Sequence, residues 1–159
     1  MGNVQLSREI KMLALGPQKS ARRFTGYIIN GVRYHTRNRE KKRTTQNSGV
    51  MLKATTENYA SARDQSPISG EVTFYGILTD IIELCYANDI KFVLFKYDWV
   101  DTARGTVKKD DFGFTLVNFK HLLYARNQPS DEPFILASQA QQVFYVADPI
   151  DEDWNIVVR

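Results

Sequence analysis

The stretch 71–86, EVTFYGILTDIIELCY, constrains the fold of this chain more than any other. It is dense in β-branched and aromatic residues, which fit a pleated, half-buried surface. Sixteen residues are too many for one flat strand, and Gly76 within the run predicts a bend or bulge. Ala87-Asn88-Asp89 reads as a turn, after which 91–100, KFVLFKYDWV, returns as the partner strand. Further strands are predicted at 112–119, at 134–137 running into 142–146, and at 154–158, with a polar connector at 101–111. Short strands spaced by about 8–12 residues, with little helical pattern between them, predict a small antiparallel barrel or sandwich. The long bent first strand favours SH3-like or OB-like curvature.

Upstream, residues 6–15 place Leu6, Ile10, Leu13 and Ala14 at helical spacing, and Gly16-Pro17 stops the pattern. A short amphipathic helix is predicted there. Asn30-Gly31 then stands between two β-rich runs, 22–29 and 32–37. That dipeptide predicts a hairpin, because both central residues of a type I′ turn need positive φ. From 37 to 48 nearly every residue is polar or charged, which reads as a loop or a segment that orders on binding. Residues 50–52 read as a short strand and 55–69 as a second polar stretch. The expectation is one domain, mainly β (α+β). It is a small, antiparallel, strongly bent β-barrel at 70–159, carrying a basic extension at 1–63 made of a short N-terminal helix, a β-hairpin and a loop.

Composition supports a folded chain: 43% hydrophobic and 12% aromatic residues suffice for a core, and 159 residues need no disulfide or metal staple. The net charge of +3 conceals a polarised sequence. Residues 1–63 carry 13 Lys/Arg against 3 Asp/Glu, a net of +10, whereas 64–159 carry 8 against 15, a net of −7. No apolar run approaches the roughly 18 residues that span a bilayer, and the start lacks an apolar core followed by a cleavage site, so neither a membrane nor a secreted chain is expected. Cys85 is alone, and His35 and His121 give it no partner at zinc spacing. A reducing compartment is the natural reading, with no metal or cofactor expected.

The segments GYIINGVRYHT (26–36), RTTQNSGVML (43–52), GEVTFYGILTDIIELCY (70–86), VLFKYDWVD (93–101), KDDFGFTLVNF (109–119) and EPFILASQAQQVFYVADP (132–149), followed by Asp153-Trp154, run in order without a large gap. Together they resemble an uncharacterised accessory domain of plant CACTA (En/Spm-type) transposon proteins, which lies downstream of the transposase region. Where this chain has Tyr97, that family more often has cysteine. The resemblance implies a plant nuclear protein, of transposon origin or domesticated from one, in which this module is accessory and the nuclease lies elsewhere.

The leading candidate site is basic. Arg33, Arg37, Arg39, Lys41, Lys42 and Arg43 are opposed locally only by Glu40, and Arg22 and Arg23 add charge nearby. Cations clustered on one hairpin and loop form an electrostatic footprint for phosphates, and a two-stranded ribbon can enter a major groove. The same cluster also fits a nuclear-localisation signal, an acidic protein partner, or a solvated loop paired with the acidic half. A second candidate is aromatic. Alternation puts Phe95, Tyr97 and Trp99 on one strand face in phase with Val93. Tyr75, Tyr97 and Trp99 then line either a groove for a peptide or methylated lysine, or simply the core; base stacking is a further option.

Asp98, Asp101, Asp110 and Asp111 sit among lysines and arginines in or beside polar connectors and read as surface acids rather than a metal-holding set. Gln139, Gln141 and Gln142 fit the bridging of backbone groups at a strand edge, or the reading of adenine edges. No catalytic constellation emerges. The expected function is therefore non-catalytic: nucleic-acid or chromatin binding in the nucleus, without a membrane or small-molecule substrate. The alternative is a protein-interaction module with a protein partner or self-association.

Overall fold

The computed structural model describes residues 7–58, 68–123, 131 and 133–159. Among them run two α-helices and twelve strands, all paired antiparallel, so the chain is mainly β. Helix α1 is Arg8–Leu15: the Ser7 hydroxyl accepts from the Ile10 amide at 3.3 Å, and Gly16 ends it at φ 78°. Its expected apolar stripe is not its buried face. Ile10 and Leu13 stay exposed, and Met12 alone in the helix is buried, with the Asn88 amide donating to its Sδ at 3.2 Å. Leu6 lies outside the described residues.

Strand β1, Ala21–Phe24, does not continue into the hairpin. It pairs instead with the far half of β5, Ile68–Cys85, with Arg22 opposite Glu83. The hairpin itself forms as expected: β2, Gly26–Ile29, and β3, Val32–His35, turn at Asn30 (φ 51°) and Gly31 (φ 78°). The polar stretch that follows is partly structured. Arg37–Glu40 forms a single helical turn, α2, before the chain enters β4, Gly49–Asn58. That strand is ten residues long, not three, because it runs alongside the near half of β5 from Gly49 opposite Ile77 to Asn58 opposite Ile68. The rest of the second polar stretch, 59–67, lies outside the described residues.

β5 serves different neighbours along its length. β4 takes residues 68–77 and β1 takes 81–84, while β6, Lys91–Trp99, lies against 76–85. The register slips between Leu78 and Asp80, and this bulge replaces the one expected at Gly76. Its effect is a change of phase. Leu78 and Ile81, an odd number of residues apart, both point into one core, where they are fully buried with Phe95. Gly76 has a different role: a Cβ there would lie 2.8 Å from Trp99 Cε3, so the glycine lets the indole pack flat against the strand.

β9 (Phe134–Leu136) and β10 (Gln141–Gln142) add to opposite edges, giving the order β10-β4-β5-β6-β9. No ladder joins the two edges among the described residues, so the sheet is open rather than a closed barrel. A second sheet, β11-β12-β8-β7, is built from Phe144–Ala147, Asn155–Val158, Thr115–Val117 and Val107–Lys109. One core lies between the central sheet and the hairpin, around Tyr34, Val50, Leu78 and Phe95. The other lies between the central sheet and the second sheet, around Met51, Tyr75, Val117 and Tyr145. The boundary expected between 1–63 and 70–159 therefore does not separate extension from core, since Tyr34, Val50 and Met51 supply both layers.

Candidate nucleic-acid interface

The hairpin, α2 and the loop after it form one anchored unit. Glu40, at the end of α2, accepts from the Asn47 amide at 2.8 Å and from the Ser48 hydroxyl at 2.5 Å. The Gln46 side chain takes both backbone groups of Tyr145: its Oε1 accepts from the amide at 2.6 Å and its Nε2 donates to the carbonyl at 3.2 Å. Asn47 Nδ2 and Gln142 Nε2 both donate to the Arg33 carbonyl, at 3.2 and 2.7 Å. Gln142 thus bridges backbone at a strand edge, the plainer of its two expected roles. Between these anchors the loop carries Lys41, Lys42 and Arg43 into solvent.

The eight expected basic residues fall into two groups. Arg22 faces the buried Glu83 at 3.9 Å, Arg23 pairs with Asp80 at 3.1 Å, and Arg37 pairs with Asp98 at 3.1 Å. These three neutralise acids of the central sheet. Arg33, Arg39, Lys41, Lys42 and Arg43 have no carboxylate within ion-pair distance among the described residues. The sequence placed all eight in one cluster because the acids that divide them lie more than forty positions away in the chain.

Three of the unpaired arginines border one cleft of about 550 Å³, shared with Phe24, Tyr27 and His35. Arg39 Nη1 donates to the Thr25 hydroxyl at 3.2 Å, which fixes the guanidinium over Gly26. His35 is 4% exposed and its Nδ1 is buried without a hydrogen-bond partner among the described residues. Burial pushes its pKa below the usual 6.5, and Arg39, Arg43 and Arg33 push it further; Glu40 opposes them. No sequence pattern singled out His35, because its surroundings come from β2, α2 and the loop together.

The aromatic groove is not there. Tyr75, Tyr97 and Trp99 are 6%, 2% and 4% exposed. The Tyr97 and Trp99 rings lie 4.7 Å apart, with Phe95 on the other side of Tyr97 at 6.0 Å. Alternation on β6 was right, but the face it defines is inside, which removes the methyl-lysine cage and base stacking on those rings. Phe112 and Phe114, by contrast, are exposed on the turn between β7 and β8. Among the acids, Asp101 pairs with Arg104 at 3.0 Å, and Asp110 accepts from the Phe112 and Phe114 amides within that turn.

Residues 82–157, slightly under half of the chain, match the model of a Domain of unknown function (DUF4216). The match begins within β5 and ends within β12, and so excludes the hairpin and all eight basic residues. No curated protein and no solved structure matches the chain.

Proposed function

We propose that this chain is a non-catalytic accessory module that contacts the phosphate backbone of nucleic acid, bare or in chromatin, through β3, α2 and the following loop. The observation that carries this reading is the set Arg33, Arg39, Lys41, Lys42 and Arg43. These cations are held on an anchored surface and have no carboxylate partner among the described residues. Surface cations that have acids within reach usually pair with them, as Arg23 and Arg37 do here, whereas this set keeps its charge available for phosphates. The resemblance to the CACTA accessory domain supports a plant nuclear setting and a transposon-derived host protein. For the architecture, the proposal is SH3-like or OB-like curvature in an open sheet, supported by the bulge in β5 and its change of neighbours along the strand.

A duplex titration at several salt concentrations tests the reading. If four or five of the cations contact phosphates, log K falls against log salt with a slope of about −4. Reversing Lys41, Lys42 and Arg43 to Glu abolishes binding, whereas Arg22→Gln with Arg23→Gln leaves it within about twofold. No binding at low salt, or binding unchanged by the charge reversal, overturns it.

One observation favours protein interaction as a second reading, at a place other than the expected groove. On the outer face of the second sheet, Phe144, Val146 and Val158 are exposed together, and the pleat puts all three on the side away from the core. Self-association through this face predicts a concentration-dependent dimer that Val146→Glu dissolves, measured by sedimentation; a monomer at all concentrations rejects it.

A further inference from the structure

Arg33, Arg39 and Arg43 repel one another across the cleft beside Gly26, and no acid among the described residues lies within ion-pair distance to offset them. Arg39 is nonetheless held in place by Thr25. A Cβ on Gly26 would lie 2.5 Å from Arg39 Nη1 and 3.0 Å from His35 Cδ2, so the glycine keeps open the space where guanidinium and imidazole meet. Beside them His35, more than nine-tenths buried, turns its Cδ2 edge to this space and keeps Nδ1 without a hydrogen-bond partner among the described residues. One tethered guanidinium and two further arginines around an open space, with a titratable imidazole beside them, describe a site for a multivalent oxyanion.

We infer that this cleft seats a single phosphate group, with Arg33, Arg39 and Arg43 as donors and His35 as a fourth group that gains a proton when the anion enters. A guanidinium meets phosphate oxygens with two parallel N–H donors, so three of them saturate a phosphate whose remaining face is open to solvent. Only the source of the phosphate, a nucleic-acid strand, rests on the proposed function; the pocket itself does not.

Proton uptake follows from the charges that face His35. Arg33 comes from its own strand, Arg39 and Glu40 from α2, and Arg43 from the loop, while Tyr27 of β2 lines the cleft. Burial and three cations against one acid hold the imidazole neutral. A bound anion reverses that balance, and by linkage an anion whose own charge does not change with pH, such as a phosphodiester, binds more tightly as pH falls.

The test follows the His35 ring by NMR in the full chain, titrating inorganic phosphate against sodium chloride of equal ionic strength. Phosphate raises the His35 titration midpoint by about one unit and chloride does not. Arg39→Leu removes the effect. Arg43→Gln, on the exposed loop where the fold is not at stake, weakens phosphate binding at least about tenfold. Equal shifts with chloride, or phosphate shifts unchanged in both variants, overturn the pocket. A duplex titration separates the two proposals. Phosphate binding without duplex binding keeps the pocket and rejects the nucleic-acid source. Full duplex affinity in both variants, with no phosphate effect, rejects the pocket and leaves the backbone reading to Lys41 and Lys42.

Discussion

Two buried tyrosines carry opposite predictions. The Tyr145 hydroxyl crosses from the second sheet to the central one, accepts from the Gly76 amide at 3.1 Å and lies 2.9 and 3.0 Å from the Val50 and Gly76 carbonyls. Burial drives its pKa far above the usual phenol range. Tyr145→Phe strands a buried amide and costs about 1–3 kcal/mol in denaturant unfolding. The Tyr97 hydroxyl, also buried, has no hydrogen-bond partner among the described residues. Tyr97→Phe therefore leaves stability unchanged or raises it, because a hydroxyl already unsatisfied in the core is lost. His35 adds a pH dependence. Its folded pKa lies below 6.5, so the unfolded chain binds the extra proton first and stability falls as pH drops below about 6.5. His35→Gln flattens that slope in unfolding experiments at pH 5 to 8. Neither tyrosine's role was legible beforehand, since Val50, Gly76 and Tyr145 meet only after three separate strands are in place.

At the scale of elements, what was legible was local. Asn30-Gly31 specified its hairpin because the two residues that tolerate positive φ are the two that the turn requires. β6 was legible from its composition. What was not legible depended on distant partners. The polarity of Thr55 and Thr56 hid the outer part of β4, which persists because each residue has a ladder partner on β5. The bulge sits at Thr79 rather than at the glycine because packing of Leu78 and Ile81 into one core sets the phase. The basic stretch read as a loop or a segment that orders on binding, yet Glu40 closes it onto the start of β4. Glu40→Gln weakens those bonds, and hydrogen exchange at the Asn47 amide then speeds by about tenfold while exchange in β5 and β6 stays unchanged.

For the whole molecule, the halves that differ so much in charge are not separate bodies. Arg22, Arg23 and Arg37 cross to Glu83, Asp80 and Asp98, so part of the N-terminal excess is spent on the central sheet and only five cations of the cluster keep their charge free. The partly exposed Arg23–Asp80 and Arg37–Asp98 pairs are worth little to stability, about 0–1 kcal/mol each. Salt is therefore expected to abolish ligand binding long before it affects unfolding, which a melting series at 0.05 and 1 M salt checks. The Gln46 side chain has one more consequence. Its amide occupies the backbone N–H and C=O of Tyr145 that a further strand would use, so it closes that side of the second sheet as a false neighbour. Without it, β11 offers a template on which one copy after another can stack. Gln46 keeps a protein rich in strands from becoming a fibre seed along that margin.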